Sequence, residues 1–374
     1  MKLLVVKMSS MGDVVHAQPV VADILAAVPG ATIHWVCEAP FAAIPAMNPG
    51  VSAVIPIAWR KWRRRLADPQ TRASIGAFRD RLRATRYDWV IDCQGLLKSA
   101  AVARLARADH RAGLSWSSAR EPLASLAYDR RAVVPRSLHV VARNRAVAAA
   151  ALGARLVGPA RFGLTVPAYA PGWLPAAGGY AVLIPGASRP EKLWPEARWI
   201  EVAGRLAARG LRLAWLWGSS DERERVLRMA AACGGVREVP TVAQPGAGPA
   251  IVRIDVDPAT QDRALSVVPP FLSVADAAGL IAGAAAVVGL DTGFTHLAGA
   301  LGRPTVGIFC DFDAVQCAVS GDGPCESFGG IGQVPAAAQV IGAVERMLDR
   351  APIDTAAASS AAAAHPVPSP PAGG

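Results

Sequence analysis

Short apolar runs alternate with amphipathic stretches from the first residues. Lys2 to Lys7 reads as a buried strand, Ser9 to Gly12 as a turn and Val14 to Val28 as a helix. Ala31 to Cys37, Val54 to Ile57 and Tyr87 to Asp92 read as further strands. A turn at Gln94-Gly95 and a helix from Leu96 to Ala106 follow the last of these. Strands alternating with helices predict parallel βαβ units with helices on both faces of a sheet.

The pattern pauses between Leu164 and Pro175, where Pro and Gly cluster, and then restarts. Tyr180 to Ile184, Leu211 to Trp217, Ala286 to Leu290 and Thr305 to Phe309 read as strands. Trp194 to Arg209, Asp221 to Ala232 and His296 to Leu301 read as helices. The expected organisation is two doubly wound α/β domains, over residues 1–168 and 176–350. Residues 236–262 lack periodicity and read as an inserted loop, and the Ala/Ser/Pro-rich stretch 356–374 as a disordered tail. In doubly wound sheets ligands bind beyond the carboxyl ends of the strands, so the turns there are the places to search.

Length and composition agree with two domains. The chain has 374 residues, 52% of them hydrophobic and 18% charged. The formal net charge of +10 admits nucleic acid, an anionic membrane surface or a phosphorylated substrate as partner. Much of the excess is arginine, whose planar fork suits phosphate and carboxylate. The six cysteines include no CxxC pair and predict reduced thiols in a cytoplasmic protein. The N-terminus reads as a strand and not as a signal peptide, and no apolar run reaches the roughly 18 residues of a membrane span.

Six segments carry candidate chemistry. Ser9-Ser10-Met11-Gly12-Asp13-Val14-Val15-His16 lies where the first strand meets the first helix; Asp13 suits either a helix cap or a general base, and His16 lies one turn on. Arg60-Lys61-Trp62-Arg63-Arg64-Arg65 puts five cations in six positions, a solvated basic face or a site for an anionic acceptor. Gln94 and Lys98 follow the fourth strand and would point to the same cleft as Asp13, or else form a capped helix start with a surface lysine. Pro185 to Pro195 carries Ser188 and Lys192; Lys192 suits a leaving diphosphate or is an ordinary exposed lysine. Glu222, just past a strand, suits a ribose or a favourable first-turn charge. Asp291-Thr292-Gly293-Phe294-Thr295-His296 is the strongest segment, either a diphosphate site on the backbone amides of Thr292 and Gly293 at a helix start or a capping Asp with a buried His.

Together SSMGDVVHAQP, RKWRRR, DCQGLLKSA, GLSWSSAREPLASLAYDRR, ASRPEKLWP and DTGFTHLAGAL resemble the ADP-heptose:lipopolysaccharide heptosyltransferases of glycosyltransferase family 9. The resemblance spans nearly the whole chain. It implies a GT-B fold and inverting transfer of L-glycero-D-manno-heptose from ADP-L-glycero-β-D-manno-heptose to a Kdo residue of Kdo2-lipid A. It implies no cofactor and no metal, and a location on the cytoplasmic face of the inner membrane, held peripherally. By resemblance Asp13 is the catalytic base. Ser188, Lys192, Glu222, Leu272, Asp291, Thr292, Gly293 and His296 would bind the donor, Leu272 against adenine. Ser10, Arg60, Arg63, Arg64, Gln94, Lys98 and Arg120 would bind the acceptor. Two departures stand out: the 236–262 insertion, and Cys310-Asp311-Phe312-Asp313, where many relatives carry a Pro-Thr-Asp-Pro turn. No nucleotide contact is therefore assigned to Asp311 or Asp313.

Three other functions compete. A second heptosyltransferase of the family would share the donor and differ in acceptor. A Rossmann oxidoreductase needs a GxGxxG after a strand, which this chain lacks. A nucleic-acid-binding protein would show salt-dependent duplex binding, and no such motif surrounds the basic run.

Overall fold

The computed structural model describes residues 1–155, 158–167, 169, 171–174, 179–234, 236–239, 241–243, 249–251 and 265–350. The 356–374 tail and the remainder of the 236–262 segment lie outside the described residues.

The first domain holds six parallel strands: β1 (Lys2–Val6), β2 (Thr32–Glu38), β3 (Val51–Ile57), β4 (Arg86–Asp92), β5 (Arg107–Leu114) and β6 (Arg130–Ala132). They lie in the order β3-β2-β1-β4-β5-β6. Leu3 and Val5 of β1 face one apolar layer, and Leu4 and Val6 face the other. Such double burial is why the run contains no polar alternation.

The second domain is built likewise, from β7 (Tyr180–Ile184), β8 (Arg212–Trp215) and β9 (Val236–Glu238). A short antiparallel pair follows, β10 (Thr241–Ala243) with β11 (Pro249–Ile251). Then come β12 (Ser266–Val268), β13 (Ala286–Leu290), β14 (Thr305–Phe309) and β15 (Cys325–Gly329). Their order is β15-β14-β13-β7-β8-β12-β9, all parallel.

Each sheet reverses its winding once, and the reversal places the site. In the first, it falls between β1 and β4, where Val6 pairs with Asp92. In the second, it falls between β7 and β13, where Ile184 pairs with Gly289. The crevice of a doubly wound sheet opens at this point. The loops after β1 and β4 therefore lie side by side, as do those after β7 and β13.

The domains meet along the Met11–His16 helix of the first and the Gly293–Ala300 helix of the second. A Cβ on Gly293 would stand 2.5 Å from the Met11 side chain, and one on Gly12 would stand 3.2 Å from His296, so glycine at both positions permits the approach. Leu297 and Ala300 join the apolar layer of the first domain. Asp322 accepts from the backbone N–H groups of Phe162 and Gly163 in the connecting segment, each at 2.9 Å.

The structure departs from expectation in places. The predicted helix Val14 to Val28 is two, Met11–His16 and Pro19–Ala27. Pro19 has no N–H to continue the first and occupies an initial position of the second, where a missing donor costs nothing. The segment taken as an insertion from residue 236 begins with β9, an edge strand in register with β12. β5 and β6 carry arginines and were not apparent as strands.

Candidate active site

Asp13 sits at the third position of the Met11–His16 helix, with its side chain 41% exposed. Ser10 caps that helix start: its backbone N–H donates to Asp13 Oδ2 at 2.7 Å and its Oγ donates to the same oxygen at 3.0 Å. The cap reading of Asp13 thus holds. One oxygen serves the cap and the other, Oδ1, lies 3.7 Å from Lys7 Nζ.

The loop that presents Asp13 is clamped from β4. Gln94 Oε1 accepts from the backbone N–H of Met8 at 2.6 Å, and its Nε2 donates to Ser9 O at 2.5 Å. Lys98 Nζ donates to Ser9 Oγ at 2.9 Å. Burial makes the Lys98 ammonium easier to deprotonate than an ordinary lysine, Glu38 opposing and Arg60 and Arg63 reinforcing it. Asp92, fully buried, accepts from Tyr128 Oη at 2.7 Å and from the Gln94 N–H at 2.8 Å. Burial raises the Asp92 carboxyl above its usual range against those hydrogen bonds.

Across the interface, Asp291 takes Lys192 Nζ on Oδ2 at 2.5 Å and His296 Nε2 on Oδ1 at 3.1 Å. Burial would raise the Asp291 carboxyl, but His296 and Lys192 together outweigh it and hold it below the ordinary carboxylate range. Lys192 also lies 5.6 Å from the Phe312 ring centre. Glu222 Oε2 accepts from the Gly218 N–H at 2.7 Å, and Ser219 Oγ accepts from the Glu222 N–H at 3.2 Å. A Cβ on Gly186 would come within 2.6 Å of the Glu222 carboxyl group, so the carboxylate occupies the space a side chain there would fill.

One cleft of about 840 Å³ joins these groups. Ser10, Asp13, Gln94 and Arg120 line it from the first domain. Ser188, Lys192, Glu222, Leu272, Asp291, Thr292, Gly293 and His296 line it from the second. Arg60, Arg63, Arg64 and Lys98 are outside its lining. The three arginines are exposed, and Arg60 packs its guanidinium 5.6 Å from the Phe41 ring centre.

Two residues that the sequence pattern did not single out hold this site. Lys7 is 5% exposed and lines the cleft beside Asp13. Arg225 donates to Pro185 O at 2.9 Å and Trp194 O at 2.6 Å, fixing both ends of the loop that carries Ser188 and Lys192. His16 too is buried, its ring centre 4.2 Å from that of His296. Burial, then His296, His139 and Lys7, depress its pKa well below 6.5.

The model of glycosyltransferase family 9 (heptosyltransferase) matches residues 75–241 and 255–322. Lipopolysaccharide heptosyltransferase 1 of Escherichia coli K12 is 38% identical over 312 residues, covering 83% of this chain and 88% of that protein. The Pseudomonas aeruginosa protein of the same name is 39% identical over 315 residues, covering 83% and 78%. The solved structure of E. coli heptosyltransferase WaaC with ADP superposes with a TM-score of 0.77 at 34% identity, covering 92% of this chain and 99% of that one. E. coli ADP-heptose lipopolysaccharide heptosyltransferase II shares the fold at 21% identity, with a TM-score of 0.67.

Proposed function

Because the chain belongs to glycosyltransferase family 9, the heptosyltransferases, we propose that it moves L-glycero-D-manno-heptose from ADP-heptose to a Kdo residue of Kdo2-lipid A, with inversion. The observation that carries this reading is the single cleft with Asp13 on one wall and the Lys192–Asp291–His296 group on the other. A relative 34% identical to this chain was solved with ADP, and again with ADP-2-deoxy-2-fluoro heptose.

In this reading the C-terminal domain binds the donor. Glu222, in the loop and helix after β8, receives the ribose hydroxyls, and Leu272, after β12, lies against adenine. The start of the Gly293–Ala300 helix offers its free N–H groups to the diphosphate, where the helix dipole favours negative charge. Asp291 receives a heptose hydroxyl, and Ser188 and His296 complete the phosphate side. The acceptor enters from the first domain, past Ser10, Gln94 and Arg120.

Asp13 takes the proton from the acceptor hydroxyl as that oxygen bonds to the anomeric carbon. The bond from that carbon to the diphosphate oxygen breaks, and ADP leaves with the electron pair. Lys192 and the helix-start amides stabilise the charge that builds there, so the chain's own groups supply what a metal would otherwise provide.

A lipid-linked acceptor places the protein peripherally on the cytoplasmic face of the inner membrane. Supporting this, Leu97, Leu123 and Leu126 are 50%, 56% and 65% exposed. The two stretches that carry them are tied by the Leu97 N–H donating to Glu121 at 2.6 Å. Lys98 adjoins, with Arg60 and Arg63 close enough to act on its charge. Each basic residue at an anionic surface adds about 1 kcal/mol of attraction. Among the described residues no helix is long and apolar enough to cross a membrane.

The test of the acceptor is transfer to Kdo2-lipid A compared with transfer to an already heptosylated lipid A. Preference for the first supports the reading; preference for the second assigns the chain to the later step.

A further inference from the structure

A lysine ammonium is seldom buried, because it gives up strong hydration. Lys7 is buried nonetheless, one residue beyond the end of β1. An ammonium has three N–H donors. One goes to Cys93 O at 2.9 Å and one to Asn144 Oδ1 at 3.3 Å. Both acceptors are neutral. The one carboxylate with which Lys7 pairs, among the described residues, is Asp13, at 3.7 Å.

We propose that Lys7 is a positioning residue for Asp13. Ser10 fixes Oδ2 from the helix start, and Lys7 attracts Oδ1 from the sheet. Held at both oxygens, the carboxylate keeps one orientation, with a lone pair of Oδ1 left toward the cleft for the acceptor proton. A purely structural plug at this place would need no charge, since a methionine would fill the same space without losing hydration. The charge has a purpose beside a carboxylate that must be both ionised and aimed. Asn144 and Cys93 in turn anchor the ammonium, from the Val140–Leu152 helix and from the residue after β4.

The proposal rests on Asp13 being the base of the transfer reaction. Its test uses the full chain, ADP-heptose and Kdo2-lipid A. The variants are Lys7→Met, which keeps volume and removes charge, and Asn144→Asp, which gives the ammonium a competing carboxylate. Lys7→Met should lower kcat about 10²-fold, the scale of a misaimed reacting group. The donor KM and the affinity for ADP should be unchanged. Asn144→Asp should lower kcat in the same direction by a smaller factor.

A kcat equal to the wild type's in a folded Lys7→Met overturns the proposal, as does a loss of ADP affinity equal to the loss of kcat. Should Lys7→Met fail to fold, an unchanged kcat in Asn144→Asp overturns it instead. A wild-type protein that binds ADP and transfers no heptose would overturn the heptosyltransferase reading itself, which is a different result.

Discussion

Lys192 and Asp291 form an ion pair of 2.5 Å. Both side chains are mostly buried, at 15% and 13% exposure. In the proposed reading the pair holds the ammonium beside the donor's diphosphate, so that little reorganisation remains when negative charge appears on the leaving group. Lys192→Met should therefore lower kcat by about 10²- to 10³-fold, the scale for removing one preorganised electrostatic donor. Steady-state transfer kinetics check this, and an undiminished kcat would leave Lys192 a structural partner of Asp291 only.

Asp13→Asn keeps shape and removes the base. It should lower kcat by about 10²- to 10⁴-fold while ADP binding, measured by calorimetry, stays as in the wild type. The variant retains an oxygen for the Ser10 cap, so folding should be little affected.

Gly186→Ala and Glu222→Gln should both weaken ADP binding. The new methyl group would occupy the position of the Glu222 carboxylate and push it out of the proposed ribose site. Losing a hydrogen bond to a charged group costs about 1.5 to 3 kcal/mol, roughly a tenfold to hundredfold rise in Kd. Equal Kd values for the variants and the wild type would move the ribose site elsewhere.

Asp23 receives Arg145 in a two-pronged bond, Nε and Nη2 each at 2.8 Å. The Arg145 side chain is 10% exposed. Asp23→Ala leaves that guanidinium without its carboxylate, which costs about 3 to 5 kcal/mol at a buried pair. Thermal unfolding should begin at a lower temperature, and Tm within error of the wild type would contradict the pairing.

The buried histidines set an acid limit. His16 and His139 both have pKa values depressed chiefly by burial, so the unfolded chain binds more protons than the folded one. Stability from these sites is complete above the unfolded value of 6.5 and is lost as pH falls through the folded values. His296, His139 and Lys7 act on His16 in that order, and Asp291 holds His296. A His16→Phe variant, which keeps a ring against His296, should show a shallower fall of Tm between about pH 6.5 and 5. A fall as steep as the wild type's would place the acid sensitivity elsewhere.

The doubly wound halves were legible because β7 and β13 are unbroken apolar runs, β1 is one after Lys2 and β4 carries Trp89-Val90-Ile91 near its end, and runs buried on both faces advertise themselves. Turns after those strands then located Asp13, Gln94, Ser188 and Asp291, since sheet topology fixes where a ligand can bind. β5 and β6 were not legible, for their arginines and aspartate belong to a sheet edge open to water. Lys7 was hidden for another reason. A lysine ending a strand looks like a solvated residue, and its burial depends on Asn144, 137 positions away. Arg225 likewise acts through carbonyls 40 and 31 residues back. Contacts of that separation leave no local pattern. The glycines at 12 and 293 were visible as turn residues, but their part in bringing two helices together belongs to the domain interface.

The most direct measurement is mass detection of product after the protein is incubated with ADP-heptose and Kdo2-lipid A. A lipid heavier by one heptose is expected, formed with release of ADP, and nearly absent with Asp13→Asn. No heptosylated lipid from a folded wild-type protein that binds ADP, or an Asp13→Asn variant as fast as the wild type, would contradict heptose transfer with Asp13 as the base.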